Sequence, residues 1–181
     1  AIAEMNRLIE EQIKPYQPQV ELLRTIPGID TVSAQQAFVE MGGDINVFPS
    51  EDHFASWIGI CPGNNESAGK QRRAKALKGN RWLCSLLVQS AHAVGRSKGT
   101  YACAFYHRIA GRRGNERAAV ATGHYLSKCI YHVLMDGKPY QDLGADYLNH
   151  RGNDSLKKQL LRRLERLGYQ VELTPQTTTM N

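Results

Sequence analysis

A serine stands at position 67 in the run E-S-A-G-K, and Gly69, Lys70, Arg72, Arg73, Lys75, Lys78 and Arg81 follow closely. From Lys70 to Arg81, six of twelve residues are Lys or Arg and none is acidic. Residues of these types at this spacing could present a small hydroxyl beside a surface that holds polyanions, because Lys and Arg supply charge and donors while Gly lets a backbone come close. A serine hydroxyl is a weak nucleophile. To attack a phosphate it needs a base or metal to take its proton and cations to offset the charge that develops on phosphorus. Lys70, Arg72, Arg73 and Lys75 are near enough in sequence for the second need. Nothing local serves the first, since Glu66 is adjacent but faces the other side of an extended chain. The plainer alternative is a turn serine in the loop that Pro62, Gly63, Asn64 and Asn65 announce.

Charge is segregated along the chain. From Ser67 to Asn115 there are eleven Lys or Arg and no Asp or Glu, whereas the rest holds twelve basic and seventeen acidic residues, so that the overall +6 sits over a remainder of −5. This favours a nucleic-acid face over a generally basic protein, with a solvated lysine-rich surface as the bland alternative. The 41% hydrophobic content over 181 residues excludes wholesale disorder and suffices for one sizeable core. No apolar run is long enough to span a bilayer, so no membrane partner is expected. Cys61, Cys84, Cys103 and Cys129 lie about twenty residues apart without a C-x-x-C pair. They read as isolated thiols in a reducing cytoplasm, with no metal site. His92, His107, His124 and His132 fall on helical patterns and read as packed or half-exposed side chains. With no initial Met and a helical pattern already under way, the chain is expected to be a piece of a longer protein.

The elements that must position the serine are helical. Residues 2–14 carry an apolar seam that Pro15 and Pro18 stop, marking 1–19 as the end of a linker or coiled-coil helix. Residues 20–43 read as a short helix, a Pro27-Gly28 turn and a second helix with Ala34 inward, which resembles a helix-hairpin-helix. Hairpin amides, Gly28 among them, could then hold a phosphate. Asp30 departs from that motif: it caps the second helix, and its charge would repel the phosphate. Ser50 opens a further helix that buries Phe54, Trp57 and Ile58. The basic run 71–77 is either a short β-hairpin or an irregular arm, expected to be mobile because its charges repel. Asn80 then caps an apolar helix through Trp82, Leu83, Leu87 and Val94, ending at Gly95. A second runs from Thr100 to Gly111, followed by an exposed Arg112-Arg113 pair in a glycine-bounded turn, and a third from Glu116 to Met135 ends at Gly137. The expected fold is mainly α: a helical bundle over 80–137, a helix-hairpin-helix-like part over 20–60, and a serine-bearing basic loop over 61–79. A tyrosine-bearing linker closes that domain at 150. In 151–175 a basic helix capped by Asp154 precedes a short strand at Tyr169–Leu173, and 176–181 form a disordered tail.

In order, the runs L-R-T-I-P-G-I-D, W-I-G-I-C-P-G-N-N-E-S-A-G-K, K-G-N-R-W-L, Y-H-R-I-A-G-R-R-G and H-V-L-M-D-G-K-P-Y resemble the C-terminal domain of one insertion-sequence transposase family. Those enzymes pair a RuvC-like N-terminal DEDD domain with this serine-containing domain, and the best understood are bridge-RNA-guided recombinases. The resemblance covers roughly Leu22 to Pro175. It implies a catalytic nucleophile at Ser67 that forms a phosphoserine ester with one DNA strand end, completed by Mg²⁺ on the carboxylates of the RuvC-like half. That half lies outside these 181 residues, so no cofactor is expected within them. DNA is the implied partner, with a guide RNA and a homo-oligomer of the full-length protein as further ones. The competing reading is a non-catalytic helical DNA- or RNA-binding module in which Ser67 only donates to phosphate.

Overall fold

The computed structural model describes residues 2–61, 66–67, 70–71 and 78–171. These residues are helical apart from turns and one two-residue strand pair. Two compact units divide the chain, Ala1–Ala145 and Asp146–Asn181.

In the first unit, α1 (Ile2–Ile13) gives way to a single 3-10 turn, Lys14–Tyr16, at Pro15. Helix α2 (Gln17–Arg24) then starts with Pro18 in its first turn, where the missing N–H costs nothing. Helix α3 (Thr31–Glu40) is capped by Asp30, whose carboxylate accepts from the Ser33 N–H at 2.8 Å. That bond holds the Asp30 carboxyl below the usual carboxylate range. Between α2 and α3, Gly28 takes φ +80 and lies so close to α5 (Arg81–Arg96) that a Cβ there would stand 2.5 Å from Val94 Cγ2 and 2.7 Å from the Ser90 carbonyl oxygen. Helix α4 (Glu51–Ile58) is capped by Ser50, as the sequence implies, and buries Phe54 and Ile58.

Helices α5 (Arg81–Arg96), α6 (Tyr101–Arg113) and α7 (Asn115–Asp136) pack on one another and form the centre of the unit. Small residues let them approach: Gly123 of α7 admits Ile60, whose Cδ1 would be 2.7 Å from an added Cβ. Leu83, Leu87, Leu126 and Ile130 are fully buried between them. Gly95 does not end α5. It lies inside the last turn with the Tyr106 ring 2.9 Å from where a Cβ would be, so its smallness serves packing and the helix runs on to Arg96. Gly111 likewise continues α6, which places Arg112 and Arg113 in its last turn rather than in a loop. The break comes at Gly114, with φ +85 and ψ 163. Trp57 and Trp82 are 39% and 59% exposed, not buried, because the core faces of their helices are filled by Phe54, Ile58 and Leu83.

In the second unit, α8 (Tyr147–Arg166) begins well before Asp154, which lies within the helix and does not cap it. The expected linker is therefore partly helical. Gly168 at φ +87 ends α8, and the Tyr169 N–H returns to the Leu164 carbonyl. Among the described residues Tyr169–Val171 find no partner strand, and without one an alternating pattern forms no ladder. Residues 172–173 and the tail 176–181 lie outside the described residues.

The two kinds of glycine can be separated by measurement. Gly28→Ala meets both a left-handed backbone and occupied space, and should lower stability by about 2–4 kcal/mol. Gly42→Ala, at φ +79 with nothing near its Cβ position, should lose only about 1–2 kcal/mol in urea unfolding.

Candidate nucleic-acid interface

The chain leaves the bundle and returns to it at one point. Gly59 ends α4 in the left-handed region, φ +82, and the Ile60 N–H bonds the Ala55 carbonyl at 3.2 Å, which turns Ile60 into the core. On the return, Gly79 lies directly on the Ile58–Gly59 peptide, since a Cβ there would be 2.3 Å from the Ile58 carbonyl carbon and 2.4 Å from the Gly59 nitrogen. Next to it the Asn80 N–H donates to the Trp57 carbonyl at 3.1 Å. The Asn80 side chain then accepts from the N–H groups of Trp82 and Leu83, both at 3.0 Å, and donates to Glu40 at 2.8 Å. One residue thereby starts α5 and ties it to α3 and α4.

Ser67 belongs to the chain between Cys61 and Lys78, whose two ends meet at this neck. Its described part is the pairing of β1 (Glu66–Ser67) with β2 (Lys70–Gln71), antiparallel, Ser67 opposite Lys70. This two-residue pairing is not the hairpin expected over 71–77, because residues 72–77 lie outside the described residues, as do Gly69 and the side chains of Ser67 and Lys70. Arg72, Arg73 and Lys75 also fall there, with the expected mobility of the loop. Lys78 and Arg81 are exposed at the return strand of the neck. The Arg81 guanidinium lies 5.2 Å from the centroid of the Trp82 ring, a cation–π contact on the surface.

Arg112 and Arg113 project from the end of α6 into an open groove of about 880 Å³ between α6 and α7. Ile60, just before the segment that carries Ser67, also lines it, so the structure brings this arginine pair and the neck to one region. Arg117 and His124 of α7 line the same groove and were missed by sequence reasoning. The signal was available: Arg117, Val120 and His124 recur at i, i+3 and i+7 on one helical face, in register with Phe105, Ile109 and Arg112 on α6. Among the described residues none of Arg112, Arg113 and Arg117 forms a salt bridge. His124 has its pKa lowered, first by burial and then by Lys128. Gly28 lies elsewhere, at the α5 contact, and the amide end of α3 nearest it already holds the Asp30 carboxylate.

A second charged cluster fixes the helix that leads into the neck. Lys128 of α7 donates to Glu51 at 2.7 Å and pairs with Asp52 at 3.0 Å, while His132 reaches the other Glu51 oxygen. The hydrogen bond from Lys128 holds Glu51 below its ordinary pKa, and Glu51 in turn holds Lys128 above its own. Among the described residues no three His, Cys, Asp or Glu side chains converge as a metal site, and no helix is long and apolar enough to cross a membrane. A carboxyl with a lowered folded pKa stabilises above its unfolded value, about 4.3, and that stability is lost as pH falls through the folded pKa. Lys128→Met should therefore flatten the loss of Tm between about pH 5 and pH 3 relative to the wild type, followed by circular dichroism.

Residues 20–107 match the model of the family described as Transposase IS116/IS110/IS902 family. The chain is 31% identical over 96 residues to a Pseudomonas aeruginosa protein named "Probable family 20 transposase", covering 52% of this chain and 28% of that protein. It is 29% identical over 126 residues to the Sinorhizobium fredii protein named "Putative transposase y4pF/y4sB", covering 66% of this chain and 32% of that one. The matched regions thus span less than a third of either relative's length.

Proposed function

We propose, for a chain that belongs to the IS116/IS110/IS902 transposase family, that it is the domain supplying the nucleophile and the phosphate clamp of DNA strand transfer. Ser67 Oγ attacks a DNA phosphodiester. An Oγ–P bond forms, the P–O bond to the leaving strand breaks, and the serine proton passes to the leaving oxygen through a base. The strand end is then held as a phosphoserine ester, and attack by a new strand's hydroxyl releases Ser67 and restores a phosphodiester. The bond energy is conserved throughout. Lys70, Arg72, Arg73, Lys75, Lys78 and Arg81 offset charge on the phosphorus centre, Gly69 lets the backbone come close, and Arg112 and Arg113 hold flanking phosphates.

The observation that carries this reading is the neck. Gly79 and Asn80 clamp both ends of the basic, serine-bearing segment at one place, beside the groove that Arg112 and Arg113 line. A nucleophile must be held to within a fraction of an ångström of its target, and a segment anchored at both ends starts from a defined origin. The proton acceptor is not supplied locally. Mg²⁺ would be held by carboxylates of the RuvC-like half that the family resemblance implies. The 181-residue chain by itself accordingly binds DNA or guide RNA weakly and does not cleave. DNA is the substrate, and a guide RNA and a homo-oligomer of the full-length protein are the partners expected with it.

The test is covalent-adduct formation. Full-length protein with its RuvC-like half, incubated with supercoiled DNA and Mg²⁺, should give a protein–DNA adduct that survives denaturation, and Ser67→Ala should abolish it while leaving DNA retention on a gel. An undiminished adduct in Ser67→Ala would overturn the assignment. Salt-sensitive retention without any adduct from the wild type would favour the non-catalytic binding module.

A further inference from the structure

We propose that the groove between α6 and α7 binds an unpaired DNA strand, with bases against its apolar floor and phosphates on its arginine rim. The inference rests on DNA being the substrate, as proposed above, and adds the form in which the DNA is held.

The floor and the rim ask for different parts of the same ligand. Phe105, Ile109 and Val120 line an apolar floor, and Val120 is 46% exposed. The Phe105 ring is held in place by Tyr101, stacked at 6.1 Å and 15°, and by Tyr125 at 5.9 Å. Arg112, Arg113 and Arg117 stand along the edge, with Glu116 the acid among them. Three guanidinium groups against one carboxylate leave a positive rim, complementary to a phosphate backbone.

Duplex DNA would use only half of this. Its bases are stacked inward, so a duplex laid on the arginines would leave the apolar floor facing water. An unpaired strand exposes its bases, and aromatic or apolar platforms beside a cationic track are how such strands are bound. His124, whose pKa is lowered by its partial burial, contributes a ring that can donate and accept hydrogen bonds, as a base edge requires. Strand transfer also needs an unpaired strand: a strand end held at one phosphorus must leave its old complement before it joins a new one. The groove begins at Ile60, where the serine-bearing segment is rooted.

The experiment measures binding of the 181-residue chain to fluorescent oligo-dT, to oligo-rU of the same length and to a matched DNA duplex, by anisotropy over a salt series. Val120→Glu, which sets a carboxylate on the floor at an exposed position, should weaken oligo-dT binding at least about tenfold and duplex binding less than about twofold. The pair Arg113→Gln and Arg117→Gln should reduce the slope of log affinity against log salt by about 1.4, at about 0.7 per phosphate contact on a single strand. As a check independent of folding, wild-type chain is photo-crosslinked to iodouridine-substituted oligo-dT. Crosslinks should map to peptides carrying Phe105 or Val120. The proposal is overturned by wild-type oligo-dT affinity in Val120→Glu, by equal losses on duplex, by preferred binding of oligo-rU, or by crosslinks confined to other peptides. Neither readout involves covalent-adduct formation, so failure here and failure of the nucleophile assignment are separate results.

Discussion

The rest of the structure depends on a contact between two stretches of backbone, Gly79 resting on the Ile58–Gly59 peptide. No side chain could stand between them. The contact exists only because position 79 has no Cβ and because Gly59 turns the chain with a left-handed residue at the end of α4. Once the two stretches touch, the Asn80 N–H finds the Trp57 carbonyl, and the Asn80 side chain is free to cap α5 and reach Glu40. The start of α5, and with it the way α5 packs on α7, is therefore fixed by the same residues that close the neck. A cap of this kind contributes about 1 kcal/mol, but its position matters more than its size: it sets where α5 begins and so which of its residues meet α7.

Charge and packing are divided between regions. The bundle's interior is assembled from small and branched apolar residues, with glycines at 28, 95 and 123 where elements come closest. Acidic groups near the neck are already engaged, Glu40 by Asn80 and Glu51 by Lys128 and His132. The arginines of the groove form no salt bridge among the described residues, and Arg112 Nε donates to the Arg108 carbonyl at 3.2 Å. Carboxylates thus hold the scaffold together while guanidinium groups face outward.

The helices and their caps were largely legible in the sequence, because capping residues and apolar period are local properties: Ser50, Asn80 and Gly137 end or begin helices as their types require. What misled was glycine and tryptophan. Gly95 and Gly111 look like stops, yet tertiary packing overrides their low helix propensity, since Gly95 faces the Tyr106 ring. Trp57 and Trp82 look like core residues, yet shorter side chains fill that space. Asp154 resembles a cap because Asp favours caps, whereas α8 is already under way before it. The groove was half legible: Arg112 and Arg113 stand out as a pair, but Arg117 and His124 join them only when two helices are laid side by side. Family resemblance was carried by the order of several short runs and agrees with the family match over residues 20–107.

The neck has a consequence for how such chains can diverge. Closing a long loop is entropically unfavourable, but the cost grows only with the logarithm of length, about 0.6 kcal/mol per doubling, and here the closure is secured by contacts lying wholly within the bundle. The length of chain between Cys61 and Lys78 can therefore vary at small entropic cost while the neck itself stays closed. Scaffold stability is in that sense separable from whatever the segment carries, and the segment's hinge points, Gly79 and Asn80, belong to the scaffold.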